Sequence, residues 1–214
     1  MSIQAVIWDF GGVITSSPFE SFNRFEAERG LPKDFIRGIN ATNPETNAWA
    51  QFESSAVSLD EFDGLFAAEA QAKGHQVGGR EVVALLSGDL RPRMIQVLKI
   101  CKASFRIACI TNNVRSGEGP GMAKTTEKAS AVAEVMKLFD LVVESSIEGI
   151  RKPNPAIYTL TCERLGIEPA QAIFLDDLGI NLKPAAKLGM KTIKVLSESQ
   201  AINDLSRLTG LSFP

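Results

Sequence analysis

Short apolar runs recur along the chain, and most of them stop at a cluster of polar residues. Because each run is continuous rather than alternating, both faces of the segment are expected to be buried, which is typical of strands in a parallel sheet. The pattern predicts five strands: Ala5–Trp8, Ile107–Ile110, Leu141–Val143, Ala172–Leu175 and Thr192–Val195.

Amphipathic helical patterns lie between the later strands. Their apolar residues recur at the three- and four-residue spacing of one helix face. Alternating strands and helices predict an α/β fold with a doubly wound parallel sheet over residues 90–214. The apolar faces are Met94, Ile95, Leu98 and Cys101 behind Pro92; Val132, Val135, Met136 and Phe139; and Ile157, Leu160 and Leu165 between Pro155 and Gly166.

Residues 17–89 interrupt this alternation. Phe19, Phe22 and Phe25 recur at near-helical spacing, and Ser58 with Glu61 forms a capping box ahead of another apolar face. The segment contains no convincing strand pattern, so it is predicted to be a helical insertion placed directly after the first strand. The phenylalanines are interpreted as the core of that insertion rather than as a ligand cradle.

Composition and charge exclude several classes of protein. The 214 residues carry 23 basic and 25 acidic side chains, for a net charge of −2, which provides no basic surface for nucleic acid or for a membrane. No run approaches 18 apolar residues, and the first ten residues do not resemble a signal peptide. Three cysteines fit neither a disulfide framework nor a zinc site, which favours a cytoplasmic location. The single histidine, His75, excludes motifs that need two.

One glycine-rich segment, RSGEGPGMAK at 115–124, could be mistaken for a phosphate-binding loop. It matches neither the dinucleotide fingerprint nor the Walker A pattern, and Pro120 lacks the backbone N–H that such a loop would use. A flexible loop is the preferred interpretation.

Polar side chains suited to catalysis follow four of the predicted strands. Asp9 follows the first strand, Thr111 and Asn112 the second, and Asp176–Asp177 the fourth, while Lys152 lies in the loop after the third. Because the carboxyl ends of parallel strands meet at one edge of the sheet, these residues are expected to form one site.

The chemistry of this set points to phosphoryl transfer. Asp176 and Asp177 would repel each other if buried without a cation, and Mg²⁺, which prefers oxygen ligands, would relieve that repulsion. A carboxylate can attack phosphorus while a cation and a lysine neutralise the oxygens. In the alternative interpretation, Lys152 and Asp176 form an ordinary ion pair and Thr111 caps a helix, but the joint placement of the set favours function.

The sequence resembles the haloacid dehalogenase-like (HAD) superfamily across nearly the whole chain. The later motifs are similar to the N-terminal phosphatase domain of mammalian soluble epoxide hydrolase. The resemblance implies a Rossmann-like core of residues 1–16 and 90–214 with a small helical cap at 17–89. The segments that carry it are WDFGGVI (8–14), ITNN (110–113), RKPNPAIY (151–158) and, most specific, FLDDLGINLKPAAKLGM (174–190).

The resemblance also implies roles for individual residues. Asp9 would be the nucleophile that forms an aspartyl-phosphate. Thr111 would act with it in catalysis and, together with Asn112 and Asn113, would hold the phosphoryl group of a small phosphorylated substrate. Lys152 would neutralise that group.

A magnesium site is implied by the same resemblance. Asp9 and Asp177 would bind Mg²⁺ directly with the main-chain carbonyl of Gly11, while Asp176 would support the ion from beside it. Asn181 would steady the following turn.

Gly11 departs from the phosphatase pattern, in which an aspartate at this position acts as general acid and base. The leading hypothesis is therefore a Mg²⁺-dependent phosphatase with weakened proton donation. One alternative is a phospho-ligand-binding or regulatory module that has lost turnover. The other is a metal-independent 2-haloacid dehalogenase, although dehalogenases typically carry Ser and Asn where this chain has Asp176 and Asp177.

Overall fold

The computed structural model describes residues 2–114 and 125–214. The glycine-rich segment at 115–124, interpreted above as a loop, lies outside the described residues. Five strands form one sheet in the order β3-β2-β1-β4-β5, and every neighbouring pair is parallel. The strands are β1 (Ala5–Trp8), β2 (Arg106–Thr111), β3 (Leu141–Glu144), β4 (Ala172–Asp176) and β5 (Lys191–Lys194).

All five strands lie within one residue of their predicted limits. Two strands differ from the prediction at both ends: β2 is one residue longer at each end, and β5 begins and ends one residue earlier. Val195 nevertheless stays attached to the sheet, because its N–H donates to the carbonyl of Asp176 at 3.0 Å.

Helices cover both faces of the sheet, which explains the continuous apolar runs. Val6 and Trp8 of β1 pack on one face against the helices at 92–102, 126–136 and 198–209, whereas Ala5 and Ile7 pack on the other against those at 155–165 and 179–187. The fold is therefore the predicted doubly wound α/β layer. The helices on this sheet are α6 (Pro92–Lys102), α7 (Thr126–Met136), α8 (Ser145–Glu148), α9 (Pro155–Leu165), α10 (Gly179–Lys187) and α11 (Glu198–Thr209), with a 3₁₀ turn at Pro169–Gln171.

The segment between β1 and α6 is helical, and its described residues contain no strand. Its apolar side chains form a separate cluster that includes Phe22, Trp49, Phe62 and Phe66. The predicted capping box of Ser58 and Glu61 is present at the start of the helix Leu59–Ala72. The helices are α1 (Pro18–Glu28), α2 (Phe35–Asn40), α3 (Ala48–Glu53), α4 (Leu59–Ala72) and α5 (Gly79–Val83).

We call residues 17–89 the cap and the rest of the described chain the core; this division remains a proposal. The two connections between them run side by side, since Thr15 and Leu90 form an antiparallel bridge. Ser16 N–H donates to the carbonyl of Asp89 at 2.7 Å. Among the described helices, none is long and apolar enough to cross a membrane.

Candidate active site

The carboxyl ends of three adjacent strands bring the predicted polar residues together. Asp9 follows the central strand β1, Thr111 ends its neighbour β2, and Asp176 ends its other neighbour β4. The parallel register places Trp8 opposite both Cys109 and Leu175. These side chains therefore converge because the strand order places β2 and β4 on either side of β1.

Lys152 occupies the centre of the site, although its loop precedes α9. Its Nζ lies 2.8 Å from Asp9 Oδ1 and 2.8 Å from Asp176 Oδ2, and the residue is 1% exposed. Burial opposes the charge of this ammonium group, but the two carboxylates more than offset that effect, and the pKa of Lys152 is raised. The lysine is therefore a fixed positive charge beside Asp9.

Asp176 is fully buried and held from several directions. One of its oxygens accepts from Leu178 N–H at 2.8 Å, and Asn181 Nδ2 donates to both oxygens at 3.0 and 3.1 Å. Tyr158 Oη in turn donates to the carbonyl of Asn181 at 2.7 Å. Asn181 therefore steadies the turn that carries the adjacent Asp177.

Asp9, Asp176 and Asp177 form a cluster in which one oxygen of each carboxylate lies within 4.8 Å of the others. Burial raises the pKa of Asp9 well above its usual value; Lys152 lowers it, and Asp176 and Asp177 raise it further. Burial and the charge of Asp176 raise the pKa of Asp177 to about 6. Three carboxylates share one ammonium, so the cluster holds more negative charge than the lysine neutralises.

Two features of this cluster were missed in the sequence analysis. Ser17, the N-cap of α1, donates from Oγ to Asp177 Oδ2 at 3.3 Å. Gly12 has a φ of +75°, and a Cβ there would lie 2.3 Å from Asp177 Oδ2, so this close approach requires glycine. The paired glycines at 11 and 12 were the available signal for Gly12; Ser17 offered none beyond helix capping.

The two asparagines after β2 are placed differently from one another. Asn112 lines the pocket, but its side chain pairs with the Lys152 backbone: Oδ1 accepts from Lys152 N–H and Nδ2 donates to Lys152 O, both at 2.9 Å. Asn113 is buried and donates from Nδ2 to Glu144 Oε2 at 2.7 Å, tying β2 to β3. Asn113 is not among the pocket-lining residues, and its contact with substrate stays a prediction.

A pocket of about 430 Å³ opens above Asp9, Thr111, Lys152 and Asp177, between the core and the cap. The cap contributes much of its wall. Phe22 belongs both to the cap cluster and to this wall, so core packing and ligand contact are not exclusive for these phenylalanines. The apolar side chains of the wall include Phe19, Phe22, Trp49, Leu86 and Val114.

Glu53 and Arg151 form an ion pair across the cap and core that the sequence analysis did not find. Arg151 Nε lies 2.7 Å from Glu53 Oε2, and both residues line the pocket. Burial raises the pKa of Glu53, whereas Arg151 and Lys152 lower it. Neither residue stands at a strand end, so sequence position alone did not mark them.

Gly11 lines the pocket and leaves space where a larger side chain could stand. A Cβ at this position would meet no atom within 4 Å, and its φ lies outside the left-handed region. Backbone geometry therefore does not require glycine here, in contrast to Gly12.

Residues 3–189 match the sequence pattern of the haloacid dehalogenase-like hydrolase family, and the chain belongs to that family. The predicted family is thus confirmed.

Several proteins are similar to this chain in sequence. Acyl-CoA dehydrogenase family member 10 of Mus musculus is 34% identical over 98% of this chain. Bifunctional epoxide hydrolase 2 of the same organism is 27% identical over the whole chain. The chain spans only 19% and 40%, respectively, of these two proteins. Sesquiterpene phosphatase astK of Aspergillus oryzae is 26% identical, with 98% of both chains covered.

Solved structures agree on the fold. A predicted HAD-like family hydrolase from Porphyromonas gingivalis has a TM-score of 0.67 at 21% identity, covering 99% of this chain and all of that one. The HAD family enzyme bt-2542 from Bacteroides thetaiotaomicron, in complex with magnesium and inorganic phosphate, has a TM-score of 0.58 at 19% identity. It covers 90% of this chain and 93% of that one.

Proposed function

We propose that this hydrolase is a Mg²⁺-dependent phosphatase that acts on small phosphorylated metabolites through an aspartyl-phosphate. The observation that carries the proposal is the placement of Asp9 beside Lys152, within a cluster of three carboxylates, at the base of a pocket. The similarity to a sesquiterpene phosphatase supports this reaction class.

The carboxylate cluster fits a hard divalent cation. Three carboxylates against one ammonium leave excess negative charge, and the raised pKa values of Asp9 and Asp177 reflect that excess and their burial. Asp9 and Asp177, with the carbonyl of Gly11, would hold Mg²⁺ directly, and Asp176 would stand beside it. When bound, the ion would supply positive charge toward the phosphoryl oxygens and stabilise the ionised form of Asp9.

The chain's own residues would divide the reaction into two steps. A carboxylate oxygen of Asp9 attacks phosphorus, the bond from phosphorus to the ester oxygen breaks, and the released oxygen takes up a proton. Water then attacks the aspartyl-phosphate, which frees inorganic phosphate and restores Asp9. Lys152 offsets the negative charge of the phosphoryl group, and Thr111 orients it.

The walls of the pocket favour a leaving group with an apolar body. Phe19, Phe22 and Trp49 of the cap line the pocket, and the cap also contributes three charged residues to its wall: Arg37, Glu45 and Glu53. Pockets bind the apolar part of a ligand by burying it, while a few polar groups fix its orientation. We therefore expect aryl or long-chain phosphates to be better substrates than short polar ones.

The test is phosphate release from a panel of phosphorylated metabolites and aryl phosphates, with Mg²⁺ and with a chelator. Turnover should require Mg²⁺ and should disappear in Asp9→Asn. Halide release from 2-haloacids that survives the chelator would identify a dehalogenase instead. Tight binding of a phosphorylated compound without product would favour a binding module.

A further inference from the structure

The backbone of Lys152 is held by a side chain rather than by regular secondary structure. Asn112 accepts from Lys152 N–H and donates to Lys152 O, each at 2.9 Å, as one peptide group pairs with another. Both backbone polar groups of Lys152, its N–H and its carbonyl, are thus paired with one carboxamide. The position of the lysine therefore depends on where Asn112 stands.

The cap contacts this pair through Glu53, the last residue of α3. Glu53 Oε2 accepts from Asn112 Nδ2 at 3.5 Å and lies 2.7 Å from Arg151 Nε. Arg151 Nη1 also donates to the carbonyl of Pro44 in the cap, at 2.9 Å. Two consecutive residues, 151 and 152, are thus tied to the cap, one directly and the other through Asn112.

Glu53 depends on these partners as much as they depend on it. Its side chain is only 9% exposed. A buried carboxylate is costly unless it is paired and hydrogen-bonded, and its loss leaves partners without compensation. Trp49 of the cap also hydrogen-bonds the Glu53 carboxylate, so seating of the cap adds the two core partners, Arg151 and Asn112.

We propose that Glu53 is a positioning residue that couples seating of the cap to the location of the Lys152 ammonium group. Through Asn112 and Arg151 it holds the 151–152 segment so that Nζ stays between Asp9 and Asp176. The catalytic significance of this coupling rests on the proposed phosphatase function.

Chemical labelling of lysine tests the coupling without any enzymatic activity. The variants are Glu53→Gln, which retains an acceptor for Asn112, and Glu53→Ala, which retains none; Glu28→Gln, at an exposed carboxylate of α1, is the matched control. Acetylation is followed by mass spectrometry at Lys152 and at the exposed Lys183. We expect Lys152 to react at least about tenfold faster in Glu53→Ala, less so in Glu53→Gln, with Lys183 unchanged and each protein still folded by thermal melting.

Steady-state kinetics then measure the consequence for turnover. With Mg²⁺ and a series of aryl phosphates, kcat of the Glu53 variants should fall by about 10- to 100-fold, since small misplacement of a catalytic group has effects of this size. KM should change by less than about threefold, and Glu28→Gln should match wild type.

Different results overturn different claims. Unchanged labelling of Lys152 in both variants would overturn the coupling. A loss of kcat that grows with leaving-group pKa would identify Glu53 as a proton donor. That result would also overturn its assignment as a positioning residue. If wild type hydrolyses no phosphate ester, the proposed function fails, while the labelling still decides whether Glu53 positions Lys152.

Discussion

The core and the cap contribute different kinds of residues to the pocket they share. The core supplies charged groups at strand ends, with Lys152 and Asp176 almost fully buried and paired to each other. The cap supplies the aromatic side chains of Phe19, Phe22 and Trp49, together with three charged side chains that lie away from the strand ends: Arg37, Glu45 and Glu53. This difference suggests that the core determines the chemistry and the cap determines which molecule reaches it.

The largest effect is expected from Asp9→Asn in the core. The amide has nearly the same shape, but it is a poor nucleophile and contributes no charge to the ion. Turnover should fall by about 10³-fold or more, on every substrate alike, while the melting temperature stays near that of wild type. Phosphate release within a few-fold of wild type would contradict the assignment of the core as the reacting unit.

Lys152→Ala should reduce both activity and stability. Removal of its charge should lower kcat by about 10²-fold or more, because it offsets charge on the phosphoryl group. It would also leave Asp9 and Asp176 buried without a positive partner, at a cost of about 3 kcal/mol in the free energy of unfolding. Kinetics and urea denaturation measure the two effects, and a variant unchanged in both would make the lysine a dispensable ion pair.

Asp177→Asn should abolish the response to Mg²⁺ while stabilising the metal-free protein. The folded-state pKa of Asp177, about 6, lies above its ordinary 3.8. Its protonated form is therefore favoured by folding, and this stability is present below about pH 4 and is lost as the pH rises through about 6. At pH 7.5 a neutral amide avoids that loss, which amounts to about 1–3 kcal/mol.

The corresponding measurement is the melting temperature with and without Mg²⁺ at pH 5 and pH 7.5. Mg²⁺ should raise the melting temperature of wild type more at pH 7.5 than at pH 5. It should raise the melting temperature of the variant little at either pH. An undiminished Mg²⁺ response in Asp177→Asn would show that Asp177 is not a direct ligand.

Gly11→Asp should restore the missing proton donor, because the structure has space for a side chain there. A positioned general acid helps most when the leaving group is basic. Turnover of alkyl phosphates should therefore rise by at least about tenfold, with a smaller change for aryl phosphates. Plots of log kcat against leaving-group pKa should have a shallower slope for the variant; equal slopes with good activity would mean that another residue already donates the proton.

Phe19→Ala in the cap should have the smallest and most selective effect, because Phe19 lines the pocket. Loss of this aromatic wall should weaken binding of bulky apolar phosphates by about tenfold, because the ligand would bury less apolar surface against the cap. Small phosphates should be affected much less, and Phe66→Leu, in the cap but outside the pocket-lining set, is a matched packing control. A similar loss of kcat on all substrates would contradict the separation of chemistry from selectivity.

The core was predictable because its signals are local. Each buried strand is a continuous apolar run, and the residue that follows it stands at the edge of the sheet where ligands bind. Asp9, Thr111 and Asp176 could therefore be assigned to one site before the strand order was known. The Ser58–Glu61 capping box was predictable for the same reason, since helix caps depend on residues three positions apart.

The contacts between the core and the cap depend on residues distant in sequence. Ser17 meets Asp177 across 160 positions, and Glu53 meets Asn112 across 59. No periodicity marks such pairs, because they form only when two separately packed units come together. For the same reason, the sequence did not reveal that the side chain of Asn112 pairs with the backbone of Lys152.

By itself, the sequence determined the strands, the insertion after the first strand, the family motifs and the carboxylate and lysine set. These follow from hydrophobic periodicity and from short motifs, which act over a few residues. The packed structure was needed to show which side chains line the pocket, why Gly12 but not Gly11 must be glycine, and how the cap is connected to Lys152 through Asn112. Those features arise from close packing between distant segments, where a difference of an ångström decides whether two groups pair or collide.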